Sequence, residues 1–307
     1  MDQNQRKLIH EFQNIVEKSW GEVIPRTFPE ENFSPPYQSD FGVFLDNGDR
    51  KIKKVTSKNL QPWLSMLELG IQWISSLHIM IDITQKKKEL DYLLPPWALT
   101  GTACSQAVAI RKLCILGLDG SARIILRSLI ETLNICTAIL FDPKLGKLYK
   151  EAQESVNANK IWNEHFRRHK MTQIIRTNMK TKVEEDELIN FYLDWQEEEL
   201  QLLNQSVHSS YIATALSSMA PSFEKDFVIS SIFGAPTIFS IKTIDVCSKA
   251  IWFFSLIGFT KLLKPIDNSS PRFVPDIKDD WTKICGATWH IFTRVIEKFW
   301  DADFPQI

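Results

Sequence analysis

The sequence predicts an all-α protein, a multi-helix bundle behind an irregular N-terminal arm. Three observations carry that expectation. From Asn59 onward, apolar residues recur at three- and four-residue spacing, as Leu64, Leu67, Ile71, Ile74 and Leu77 do. Glycine is scarce, with 11 in 307 residues, whereas hairpin-rich folds use glycine freely in turns. Pro95-Pro96 and Asp142-Pro143 fall between the periodic stretches, where helices start and stop.

In chain order, residues 4–20 read as a short amphipathic helix with Leu8, Phe12, Ile15, Val16 and Trp20 on one side. The proline-rich stretch that follows is loop or extended arm. Residues 41–55 alternate around Asp46-Asn47-Gly48, which fits a small β-hairpin or a loop. A long helix then follows Asn59, and a second starts at Pro95-Pro96 and ends at Gly117. Ser121 is placed to cap a third, which runs to about Phe141. The polar segment 144–205 reads as two or three helices, and two more fall at about 237–264 and 279–300. This divides the chain into an N-terminal helix and arm, 1–58, and a helical bundle domain, 59–307.

Hydrophobic residues at 44% and charged ones at 24% describe an ordinary folded chain. A net charge of −1 gives no global attraction for nucleic acid or anionic lipid, so such contact needs a local patch. The five cysteines (Cys104, Cys114, Cys136, Cys247 and Cys285) are scattered, with no C-x-x-C, and suit reduced thiols in a cytoplasm. The N-terminal residues lack a signal pattern. The most apolar run, 250–260, is shorter than the ~20 residues a bilayer requires. The expectation is a soluble cytoplasmic protein without a membrane partner. No Gly-rich phosphate loop or G-x-S-x-G elbow occurs, and no cofactor or metal is expected.

The stretch 117–143 raises the functional question. Arg123, Arg127, Glu131 and Asn134 form one polar stripe on a helix that is otherwise apolar almost all round. Such a seam either faces water or lines an internal polar pocket, where Glu131 would partner Arg127 and Arg123 and Asn134 would contact a ligand. His208 follows an acidic helix and suits proton transfer if a carboxylate holds it; its plainer reading is a helix-end hydrogen-bonder. His165 and His169 lie four apart, but Arg167, Arg168 and Lys170 beside them favour a basic face that contacts solvent or phosphate. The basic runs at 50–54 and 85–89 read as solvated surface. Trp63, Trp73, Trp252, Trp289 and Trp300 sit in apolar helical patterns and read as core.

Gly117, Ala122 and Arg127-Ser128-Leu129-Ile130-Glu131, followed by Val207-His208, resemble a bacterial all-helical family of unknown function. Its members carry a G…A…R-S-L-x-E helix and a later V-H-x-S segment. The resemblance covers roughly 60–265 and implies that Arg127, Glu131 and His208 share a site. A looser similarity is to HEPN-type helical ribonucleases, whose Arg and His lie four to six residues apart on one helix. Here Asn204-Gln205-Ser206-Val207 precede His208, so the arginine would have to come from another helix.

Two functions follow as expectations. One is a toxin-like or phage-defence effector acting on RNA or another phosphate-bearing substrate. In it Arg127 binds the anion, Glu131 orients Arg127 or acts as a base, and His208 transfers a proton. The other is a non-catalytic binding or oligomerisation module, in which the same three residues form a buried structural network. A homo-oligomer or protein partner belongs with either.

Overall fold

In a computed structural model, the protein is described at residues 41–88, 91–152, 155–179, 183–208, 237–263 and 275–300, with isolated positions and two short strands beyond them. The chain forms two compact units, Met1–Lys51 and Ile52–Ile307. In the first, Lys7, His10, Glu11, Asn14 and Lys18 are helical, as expected for 4–20. The apolar positions of that helix and the proline-rich arm lie outside the described residues.

Helix α1 (Phe41–Asn59) replaces the expected hairpin or loop and is shared by the two units. Asp46-Asn47-Gly48 is a strong local turn signal, but Leu45, Ile52, Val55 and Thr56 also fit a helical period. Thr56 and the following Leu60 are fully buried, and this anchorage overrides the turn preference.

The second unit continues with α2 (Trp63–Lys88), a 3-10 turn (Asp91–Leu93) and α3 (Leu94–Ile115). Gly117 ends α3 at φ 70°, a conformation costly for any residue with a Cβ. The amides of Gly117 and Leu118 bond back to the carbonyls of Cys114 and Leu113 at 3.1 and 2.8 Å, closing the helix and reversing the chain. Helix α4 (Asp119–Phe141) starts there. Ser121 lies inside its first turn, and the cap position falls to Leu118 without a side-chain bond. Asp142 then caps α5 (Pro143–Glu151) by accepting from the Lys144 amide at 3.1 Å.

The polar segment forms α5 and three further helices, α6 (Ser155–His165), α7 (Arg168–Met179) and α8 (Val183–Val207). Phe166, buried between α6 and α7, breaks the helix there, so His165 and His169 do not share one helical face. A two-stranded antiparallel pairing follows, β1 (Met219–Pro221) with β2 (Val228–Ser230). Helix α9 (Phe239–Phe254) runs through a π-helical turn (Ser255–Phe259) into α10 (Thr260–Leu263). Helix α11 (Asp280–Phe299) is capped by Asp279, which accepts from the Thr282 amide at 3.0 Å.

Helices α2, α3, α4 and α9 supply much of the core, which includes Trp73, Leu77, Ile110, Leu126, Leu129, Ile244 and Ile251. Helix α11 lies against α2 through Phe292, which is 0% exposed. Its ring is so near that a Cβ on Gly70 would sit 2.9 Å from it. At the π turn, Ser255 accepts from the Trp289 indole at 3.2 Å, and Trp73 meets Phe259 edge-on at 5.7 Å. Of the five tryptophans read as core, Trp73 and Trp252 are buried, while Trp63, Trp289 and Trp300 are partly buried against the core.

The expectation of no membrane partner is overturned. Three helical stretches, Trp63–Lys87, Asp119–Phe141 and Phe239–Leu263, are long and apolar enough to cross a membrane. The run 250–260 looked too short because it was measured alone. In the structure α9, the π turn and α10 join it into 25 continuous residues. The charges within that length include Asp245 and Lys249, which neutralise each other (below).

All five thiols are free, and all but the partly exposed Cys104 are buried. Burial raises the Cys104 and Cys114 thiols above the usual range and pushes Cys285 up to about 12. Alkylation of the native protein at neutral pH is therefore expected to modify Cys104 alone, and slowly, because the thiolate is the reactive form. Mass spectrometry should find the other four labelled only in denaturant; rapid native labelling of Cys285 would contradict this packing.

Candidate functional site

The seam on α4 begins at its N-terminal turn. The Arg123 guanidinium pairs with Asp119 one turn before it, at 2.8 Å, and lies 5.1 Å from the centre of the Phe239 ring. Asp119 also accepts from the Thr243 hydroxyl, which ties the start of α4 to α9. Arg127 pairs with Glu131 at 3.1 Å, with side chains 28% and 30% exposed. This position is intermediate between the water-facing and the internal seam. The Arg127 Nε is itself buried and has no hydrogen-bond partner among the described residues. One turn further, Asn134 is buried and donates to the Gln196 carbonyl oxygen at 2.7 Å. Asn134 therefore joins α4 to α8 and does not open to solvent.

The other expected residues have contacts of their own. His208 is exposed in the turn that ends α8, its amide bonded to the Asn204 carbonyl at 3.0 Å. Among the described residues, no hydrogen bond or ion pair joins its ring to Arg127 or Glu131. Arg167 is exposed and donates to Asn163 at 3.1 Å. Arg168 pairs with Glu197, and Arg176 pairs with Asp194 at 2.9 Å, so α7 is clamped to α8 by charge. Among the described residues, no group of three or more His, Cys, Asp and Glu side chains is placed to hold a metal ion.

A second polar cluster escaped the reading of the sequence. Asp245 and Lys249 on α9 pair at 2.9 Å, with side chains only 2% and 7% exposed. Lys249 also donates to the Trp300 carbonyl at 2.9 Å, and its ammonium lies 4.6 Å from the Trp300 ring centre. Tyr192, fully buried, donates to the Lys249 carbonyl at 3.1 Å and stacks on Phe253. Burial holds the Tyr192 phenol far above its usual range, so it stays a neutral donor. One turn back, Glu199 on α8 pairs with Lys242. The signal was present as D-x-x-x-K inside an otherwise apolar helix. This ion pair is enclosed, whereas the α4 arginines are partly open to solvent.

Comparison with protein-family models, with curated proteins and with solved structures finds no match for this chain.

Proposed function

We propose that the protein is a toxin-like or phage-defence effector of a bacterial cytoplasm, and that the arginine face of α4 binds a phosphate-bearing ligand, RNA foremost. The observation that carries this reading is the Arg127 Nε, a buried donor without a partner on a side chain whose other end reaches Glu131. Leaving such a donor unmade costs about 1–3 kcal/mol, and an anionic oxygen would satisfy it with a charge-assisted bond. Arg123, one turn away and paired with Asp119, places a second guanidinium on the same face. The resemblance to the R-S-L-x-E family and the looser one to HEPN ribonucleases supply the choice of RNA. In that reaction His208, at the exposed end of α8, is the proton-transfer group. The free thiols fit a reducing compartment.

A structural role for the same residues is the second reading, favoured by the Asp119 carboxylate that holds both Arg123 and Thr243. The two readings separate on Arg127→Ala. A partly exposed i,i+4 pair contributes at most ~1 kcal/mol, so the variant is expected to melt close to wild type. The test expresses wild type, Arg127→Ala and His208→Ala, follows growth and total RNA, and melts each purified protein. Slowed growth or cleaved RNA with wild type, lost in both folded variants, supports the effector. Inert wild type with a large drop in melting temperature for Arg127→Ala refutes it in favour of architecture.

A further inference from the structure

Helix α1 shows an exposed basic side that nothing so far explains. Lys53, Lys54 and Lys58 are exposed, and among the described residues none of them has an ion-pair partner. Arg50 and Lys51 precede them on the same helix, which carries five basic residues against two aspartates. At 100° per residue, Lys54 and Lys58 follow one line along the helix, while Thr56 and Leu60 turn inward and are fully buried, and Lys53, though exposed, lies at the flank nearer to them. Val55, 47% exposed, lies at the edge between those two sides. The helix is thus anchored by one side and displays Lys54 and Lys58, with Val55 beside them, on the other.

Its position in the chain supplies the second observation. Lys58 lies five residues before Trp63, where the first of the three helices long enough to cross a membrane begins. A basic cluster next to such a helix is the arrangement that anionic headgroups attract. Recognition of single-stranded RNA relies on aromatic side chains that stack on bases, and between Arg50 and Lys58 there are none.

We infer that the side of α1 carrying Lys54 and Lys58 docks on an anionic phospholipid surface, lysine ammonium groups against headgroup phosphates and carboxylates, with Lys53 adding charge from its flank and Val55 at the headgroup boundary. This goes beyond the arginine face of α4 and rests on different residues. The association is electrostatic, so it weakens as salt shortens the screening length.

The whole 307-residue chain is sedimented with phosphatidylcholine vesicles, alone or containing phosphatidylserine, at low and at high salt. Wild type is expected to pellet with the phosphatidylserine vesicles at low salt and to release at high salt. The triple variant Lys53→Glu, Lys54→Glu, Lys58→Glu should lose about 100-fold in affinity, three charges each contributing roughly a factor of five before reversal. The control triple Lys144→Glu, Lys147→Glu, Lys160→Glu alters exposed lysines elsewhere and should keep binding. Thermal melting of both triples checks that each is folded. Equal binding to both vesicle types would overturn the inference, as would equal loss in both triples or no binding by wild type. So would a single-stranded RNA oligonucleotide that binds wild type more tightly than vesicles do and is lost in the α1 triple, which would make the patch a nucleic-acid site.

Discussion

Lys249→Met is expected to lower the unfolding free energy by about 3–5 kcal/mol, read as a shift in denaturant midpoint at unchanged slope. The methionine keeps the length of the side chain but removes the charge that compensates Asp245, whose side chain is 2% exposed. It also leaves the Trp300 carbonyl without its donor and takes the cation from between Trp300 and Trp195. The penalty comes from the group left behind. The double variant Asp245→Leu, Lys249→Met should therefore recover most of the loss, because an apolar pair of similar volume needs no compensation. A double variant as unstable as the single one would show instead that the Lys249–Trp300 link, which holds the end of α11 to α9, dominates.

Phe292→Ala should be of similar size, about 3–5 kcal/mol, for a different reason. Phe292 is fully buried where α11 meets α2, and its ring occupies the space that Gly70 leaves open. Truncation there leaves a cavity that rigid helices cannot close. Gly70→Ala attacks the same contact from the other side, since its Cβ would be 2.9 Å from the ring, and overpacking of this kind costs about 1–3 kcal/mol. Combined with Phe292→Leu, it should be less harmful than the sum of the single changes. Simple additivity in denaturant titrations would mean that the two residues do not share one space.

Much of this architecture was legible because helical periodicity survives in single sequences. The stretches near 60–88, 95–115, 119–141, 237–264 and 279–300 carry long apolar repeats, and the helices fall there. The misreadings share a cause, which is that local signals were outweighed by distant anchorage. Asp46-Asn47-Gly48 speaks for a turn, yet Thr56 and Leu60, some ten residues on, bury their side of a helix. The break between His165 and Arg168 carries no Gly or Pro to announce it; Phe166 goes into the core, and the chain bends to let it.

The site was less legible than the fold. Spacing alone pairs Arg127 with Glu131, since neighbours four apart on a helix meet. Spacing cannot say how much solvent reaches them, and it cannot relate His208, on another helix, to either. Nor does it reveal that Arg168 is engaged by Glu197, or that Asn134 is sealed against Gln196. Those facts depend on which helices become neighbours.

The π turn at Ser255–Phe259 has a consequence for how this chain is aligned with others. A π turn accommodates one residue more than an α-helix would over the same length, so it behaves as a single-residue insertion inside a helix. A homologue without that residue would continue as regular α-helix, and everything downstream would be rotated by about 100°. Lys261, which here lies 5.3 Å from the Phe141 ring centre, would then point elsewhere. A one-residue gap near position 257 is thus the trace to look for in any related sequence, and gap penalties that forbid it would misplace every residue from Thr260 onward.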